Sequence, residues 1–385
     1  MKRTGLIIAI LGFLFFAAAA RAQWLPAKRL TWTPSSSVCP VIAVDLWGKL
    51  HVVWQEGIPS DSSHEIFYLQ SPDGGATWSA IKRLTWTSGY SSVPALSVDP
   101  SGHLHVAWMD DTSGGDEVYY NKSTDGGASW TASRMISWTS SLSVYPAIAA
   151  DSSGHLHAGW QDYTPGNPEI YYRMSPYGGG LWTASKRLTW NSSPSQNPAI
   201  CAESPGHVHV VWHDYKPGNA EIYYRSSTDG GASWTVSKRL TWTSGLSLDP
   251  AIAIYPSGHL HVVWVDRTPG NSEIYYKNSP DGGVSWSPNK RLTWSLGDGY
   301  CPTLSGDPYG HLHVVWDDGT PGNEEIYYKQ STDGGASWTP SKRLTWTSVN
   351  SWYPVIAVDS FGNLHIVWYD LTPGNWEIYY RKYIQ

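Results

Sequence analysis

Apolar and aromatic residues along this chain come in short runs, and glycine, proline, aspartate and asparagine fill the gaps between them. Residues 87–138 show one full cycle. The runs SVPALSV (Ser92–Val98), HLHVAWMD (His103–Asp110) and EVYYNK (Glu117–Lys122) are rich in β-branched and aromatic residues, and a fourth run spans Trp130–Trp138. Asp99-Pro100-Ser101-Gly102, Thr112–Asp116 and Asp125-Gly126-Gly127 separate them. Runs this short, bounded by turn residues, predict four antiparallel strands. Nothing in the cycle has the length or period of a helix.

The cycle then recurs. Trp32, Trp86, Trp138, Trp190, Trp242, Trp294 and Trp346 are spaced by 54 residues once and by 52 five times, and each ends a near-copy of KRLTW, with RMISW at Arg134–Trp138 as the variant. A fixed period near 50 residues marks a repeat architecture. Four antiparallel strands repeated radially predict an all-β chain folded as a seven-bladed β-propeller. The blades are expected at 33–86, 87–138, 139–190, 191–242, 243–294, 295–346, and 347–385 completed by 23–32. The last repeat stops after its third strand, and the missing fourth lies at the other end of the chain, where the Trp24-to-Lys28 spacing equals that of Trp78 to Lys82. The N-terminal strand is therefore expected to complete blade seven and close the ring, which removes exposed sheet edges. Both faces of the middle strands would pack on neighbouring blades, so the 21 periodic tryptophans among the 24 are expected to be mainly inter-blade core.

The N-terminus changes the picture of where the chain works. Lys2 and Arg3 precede an apolar run, Leu6–Ala20, and Ala20-Arg21-Ala22 fits a small-x-small cleavage site. Residues 1–22 are therefore expected to be a secretory signal cleaved near Ala22, with a secreted, extracellular or periplasmic product. The run falls short of the roughly 20 residues that span a bilayer, so no membrane insertion is expected. The formal charge is −6, or −9 without Lys2, Arg3 and Arg21, and no run of five basic residues occurs. This argues against a nucleic-acid partner. Cys39, Cys201 and Cys301 are an odd set in an exported chain. The first and third share one slot, before Pro40 and Pro302, in repeats that are not neighbours, so free thiols are expected. No motif calls for a cofactor.

The turn between the third and fourth strands reads SPDGGATW at Ser71–Trp78, STDGGASW at Ser123–Trp130, Ser227–Trp234 and Ser331–Trp338, and SPDGGVSW at Ser279–Trp286. This pattern resembles the Asp-box, or BNR repeat, of bacterial sialidases and related secreted propellers, and the resemblance covers essentially all of 24–385. Repeat three departs from it, with Tyr177 in the aspartate slot. The resemblance implies a structural role for Asp73, Asp125, Asp229, Asp281 and Asp333, on the face opposite the active site. It also raises sialidase activity, which needs three arginines on the sugar carboxylate, a tyrosine nucleophile with a glutamate partner, and an aspartate acid/base. Here Arg29, Arg83, Arg187, Arg239, Arg291 and Arg343 fall one per blade, and no Arg-Ile-Pro phrase precedes the first blade. Sialidase domains are six-bladed, and this chain counts seven. No catalytic residue is assigned.

Two further motifs repeat. His-x-His occurs at His103/His105, His155/His157, His207/His209, His259/His261 and His311/His313, with His51 and His365 as single equivalents. Two imidazoles on one strand face can hold a metal, but repetition in every blade favours an inter-blade hydrogen bond, and no metal is expected. The loop DxTPGNxE, at Asp162–Glu169, Asp214–Glu221, Asp266–Glu273, Asp318–Glu325 and Asp370–Glu377, is expected as a tight turn whose Asp and Asn satisfy local backbone N–H groups. It lies on the face opposite the Asp-boxes.

Departures from the repeat are more informative for function. Trp47, Trp352 and Trp376 fall off the period. Trp47 belongs to a turn on the Asp-box face. Trp352 and Trp376, with Tyr353 and Asp370, are expected together on the opposite face of blade seven, and Tyr163 and Tyr215 (with Tyr145 and Tyr300) on the same rim elsewhere. Aromatic rings stack on sugar C–H faces while carboxylates accept hydroxyl hydrogens. The favoured expectation is a non-catalytic propeller binding carbohydrate or another extracellular polymer, with multivalency from repeated blades. A sialidase-like glycoside hydrolase and an extracellular assembly scaffold stand as alternatives.

Overall fold

The computed structural model describes residues 22–58, 63–255 and 258–385. The expected signal segment, residues 1–22, lies outside the described residues but for Ala22. Seven antiparallel sheets account for every strand named. Each blade has an eight-residue first strand, such as Ser143–Ala150, and second and third strands of seven or eight residues, such as Leu156–Asp162 and Glu169–Ser175. The fourth is reduced to two ladder residues, such as Lys186–Arg187. The expected strand over Trp130–Trp138 thus shrinks to Arg134–Met135, because the Asp-box turn extends to its tryptophan. First strands of successive blades contact one another, which places them around the axis. The up-and-down order puts Asp-box turns at one end and DxTPGNxE loops at the other.

The ring closes as the spacing predicted. Gln23–Trp24 pairs with Ile384 and Tyr383, and Lys28–Arg29 pairs with Tyr380 and Tyr379, so the N-terminus is the outer strand of the last blade. Trp24 packs between Tyr328 of blade six and Tyr383, at centroid distances of 5.1 and 5.0 Å.

The tryptophans divide into three populations. Those of the second strands (Trp54, Trp108, Trp160, Trp212, Trp264, Trp316 and Trp368) are fully buried, and each indole N–H donates to the acidic residue two positions on, as Trp212 to Asp214 at 3.1 Å. Those of the Asp-boxes stand edge-on to a tyrosine of the preceding blade, as Trp234 to Tyr172 at 4.9 Å. The seven that end KRLTW are not core. They are 65–72% exposed at the outer rim, because Leu and Thr just before them fill the inward positions. The expectation that all 21 periodic tryptophans are mainly core is corrected for these seven.

The histidine motif also resolves differently. The second histidine of each pair is buried and bonds within its own blade, to a third-strand tyrosine hydroxyl, as His209 Nδ1 to Tyr224 at 2.8 Å. That hydroxyl then donates across to the next blade, as Tyr224 to the Gly282 carbonyl at 3.1 Å. The tyrosine, not the histidine, crosses the interface. A Cβ on the following Asp-box glycine, Gly283, would overlap this hydroxyl, and its φ of +95° is also one that favours glycine. A lysine of the fourth strand adds a second clasp, as Lys238 Nζ to the Val284 carbonyl at 2.6 Å.

Candidate functional site

Seven near-identical blades leave few places for chemistry that differs, so the site is sought where they diverge. Each first strand is broken by a proline that cannot donate to the ladder, and the register shifts around it. The residue before that proline adopts left-handed backbone: Cys39, Val93, Tyr145, Asn197, Asp249, Cys301 and Tyr353, with φ of 48–53°. None is glycine, so each conformation costs about 1–3 kcal/mol. Strain repeated in all seven blades holds these side chains at the loop-face mouth of the axis, where identities vary while the proline after them does not.

A second ring supports the first. In four blades the residue after the buried second-strand tryptophan reaches to the next blade and accepts its strained N–H: Gln55 from Val93 (2.9 Å), Gln161 from Asn197 (3.3 Å), His213 from Asp249 (3.4 Å) and Asp317 from Tyr353 (3.1 Å). Asn197 also donates to Asp249 across the mouth at 2.7 Å. Sequence reasoning missed both rings as rings. The signal was present: the slot before the repeated proline runs through Cys, Val, Tyr, Asn and Asp, and the slot before that through Val, Ser, Gln, Leu, Tyr and Trp.

Trp352, Tyr353 and Trp376 do come together. Trp352 stacks on Trp376 at 4.7 Å and 21°, Tyr369 meets both edge-on, and Tyr353 stacks on Tyr369 at 5.6 Å. Both indoles are half-buried against one another, and Tyr353 is exposed. Tyr163 and Tyr215 stand elsewhere on the same rim, each over its own second-ring residue: Tyr163 takes a hydrogen bond from Gln161 (2.9 Å), and Tyr215 lies edge-on to His213 (5.8 Å). Asp370 pairs with Ser351 at the end of the same hairpin. It is buried, and its oxygens accept from Ser351 (2.8 Å), Trp368 (3.3 Å) and the Thr372 N–H (2.8 Å), which leaves it a structural role.

The electrostatics of the mouth follow from burial. Desolvation raises the Asp317 carboxyl well above the usual range, with the Tyr353 N–H opposing it. Burial likewise raises the Cys301 thiol well above its ordinary value and the Cys39 thiol to about 11. All three cysteines are free thiols. A carboxyl whose folded pKa is raised adds stability below its unfolded pKa near 3.9, and that stability is lost as pH rises through the folded value. Asp317→Asn keeps the shape and the acceptor while removing the titration. It is expected to raise Tm at pH 7 and leave it unchanged at pH 4, as read by calorimetry.

On the opposite face the Asp-box aspartates behave as the resemblance implied. Asp229 accepts the Ser233 N–H (2.8 Å) and the hydroxyls of Ser227 (2.8 Å) and Ser233 (2.5 Å), and these bonds draw its pKa down to about 2. Asp73, Asp125, Asp281 and Asp333 repeat the pattern. In the DxTPGNxE turn the aspartate accepts a backbone N–H as expected, Thr268 to Asp266 at 2.9 Å. The asparagine instead donates its amide to carbonyls of the following connection, as Asn271 to Ser295 (2.9 Å) and Gly297 (3.0 Å). No group of three metal-ligating side chains occurs among the described residues. The rim arginines are engaged at the outer strand in ion pairs with buried glutamates, as Arg187 to Glu169 at 2.9 Å.

Solved structures with this fold are distant in sequence. A protein of unknown function from Dyadobacter fermentans aligns over 94% of this chain and 98% of its own, with TM-score 0.60 and 13% identity. An ulvan lyase bound to -[GlcA(1-4)Rha3S]- aligns over 89% and 93%, with TM-score 0.62 and 9% identity. The Hadza microbial sialidase Hz136 aligns over 90% of this chain but only 65% of its own, with TM-score 0.50 and 16% identity. At these identities the likeness shows the fold. A search of curated proteins found no match. Residues 154–367, more than half of the chain, match the BNR repeat-like domain, and with the seven-bladed geometry described above the chain belongs to that family.

Proposed function

We propose that this is an exported, non-catalytic propeller that binds carbohydrate at the loop-face mouth of its axis. The observation that carries the reading is the group of Trp352, Trp376, Tyr369 and Tyr353, an aromatic cluster built on one blade of an otherwise repetitive ring. Mutual stacking fixes the indole planes in advance, so little side-chain freedom remains to be lost when a sugar ring covers them. Hydroxyl and amide groups of Tyr353, Asn197 and Tyr145 surround the same mouth for hydrogen bonding. The sialidase and the ulvan lyase among the structural neighbours act on carbohydrate, which supports the class of ligand.

The test is affinity electrophoresis in gels containing soluble polysaccharides. Retardation by at least one polysaccharide is expected, with affinity reduced about tenfold in Trp376→Ala, the scale of one lost stacking contact and its buried area. Retardation that is unchanged in both Trp376→Ala and Trp352→Ala would sink the proposal. A fluorogenic sialoside is expected to show no turnover.

A further inference from the structure

The outer grooves between blades carry the second departure from symmetry. In six blades the exposed rim tryptophan lies beneath its own arginine, at 5.4–5.9 Å, and that arginine is held by a buried glutamate. Blade two breaks this arrangement. Met135 occupies the arginine slot, and among the described residues no cation is found over Trp138, which is 70% exposed. The preceding lysine is replaced by Arg134, whose guanidinium donates to the Gly180 carbonyl of blade three at 2.8 Å.

A second guanidinium faces the same groove from blade three. Arg173 donates through Nη1 to the Ile136 carbonyl at 2.5 Å, two residues from Trp138. Its Nε is buried without any hydrogen-bond partner, and no carboxylate pairs with it among the described residues. Burial and the nearby Arg134 charge both disfavour its protonated form. The acid that flanks other grooves is missing here: Tyr177 stands in the Asp-box aspartate slot, and Leu181 in that of its serine partner, both exposed. Two neighbouring guanidiniums, one with an orphaned donor, are an unfavourable arrangement unless an anion bridges them.

We propose that the groove between blades two and three is a second binding site, taking an anionic sugar unit of a polysaccharide. Its carboxylate or sulfate lies between Arg134 and Arg173, and the sugar ring lies on Trp138. The site is independent of the axial mouth. The chain as a whole is negative, so the attraction is local to this groove and not a property of the general field.

The experiment uses the whole propeller, residues 23–385, titrated calorimetrically with polygalacturonate oligomers, a sulfated dextran and neutral dextran. Binding to one or both anionic polymers and none to neutral dextran is expected, and the two anionic arms separate carboxylate from sulfate recognition. Arg134→Gln, at an exposed position, and Arg173→Gln are each expected to weaken anionic binding about tenfold or more, the scale of a lost charge-assisted hydrogen bond. Trp138→Ala is expected to weaken it as well. Trp242→Ala, at a rim position between Arg239 and Lys277, and Trp376→Ala are expected to leave it unchanged. Equal binding of neutral and anionic dextrans, no anionic binding, or wild-type affinity in both arginine variants would overturn the proposal. Loss in Trp376→Ala alone would move anionic binding to the axial mouth and overturn it equally.

Discussion

A chain that begins at Thr33 is expected to melt at a lower temperature and to self-associate. Residues 23–32 join the two ends of the sequence, and they do so with buried chemistry. Leu30 is core and donates its N–H to the Ile378 carbonyl at 2.7 Å. The Thr31 hydroxyl accepts the Ile378 N–H at 2.8 Å. Arg29 neutralises the fully buried Glu377 at 2.8 Å. Removal leaves Glu377 uncompensated, at a cost of about 3–5 kcal/mol, and the loss of Leu30 adds about 1.5–3 kcal/mol. The strand Glu377–Ile384 becomes a free edge that can pair with another molecule. Calorimetry is expected to show Tm lowered by roughly 10 °C, given the shallow dependence of Tm on free energy in large domains. Size-exclusion chromatography is expected to show oligomers, and a synthetic peptide of residues 23–34 to restore the monomer. A truncated monomer that melts with the intact protein would refute the closure.

The second large effect is acid lability, and two blades contribute most to it. In five blades the buried histidine has an aspartate nearby: Asp45, Asp99, Asp151, Asp307 or Asp359. In blades four and five that slot is Glu203 and Tyr255, and among the described residues no carboxylate pairs with the ring. Burial then depresses His209 to about 4 and His261 to about 3, with a smaller push from the preceding histidine of each pair. A histidine with a depressed folded pKa contributes stability above its unfolded value near 6.5, and loses it as pH falls toward the folded value, because the unfolded chain takes the proton first. At 1.36 kcal/mol per unit, the pair is expected to remove on the order of 5 kcal/mol between pH 6.5 and 4.5. Urea unfolding across that range measures it. The His209→Gln/His261→Gln double variant is expected to make the profile shallower, the remaining slope coming from His105, His213, His313 and His365, whose burial also lowers their pKa. Stability in the unsubstituted protein that does not change from pH 7 to 4.5 would contradict the account.

How much of this was legible depended on what repetition reveals. The period of KRLTW gave the number of blades, and the offset of Trp24–Lys28 gave the closure, because both are arithmetic properties of the chain. Burial is not. Trp32 and Trp54 are equally periodic, yet one stands at the rim and the other in the core, and the difference lies in which way an outer-strand residue points once its ladder ends. The path from His209 through Tyr224 to Gly282 was half visible: the histidine repeats, but its partner had to be seen in space. On blade seven, irregularity in the sequence located Trp352 and Trp376 correctly on one face. Asp370, which looks like a loop carboxylate, is buried and accepts from the indole of Trp368.

The clasps between blades end on carbonyl oxygens: tyrosine hydroxyls on one glycine of each turn, and lysine ammoniums on the residues after it. These bonds end on main-chain atoms, and the side-chain contacts beside them, such as Trp234 on Tyr172, use residues that every unit repeats, so a whole unit can be copied or exchanged without spoiling the fit of the next. Such a scaffold permits wide variation at its rim and mouth while its assembly stays the same, and it gives a ready route by which tandem duplication could generate a ring of this kind.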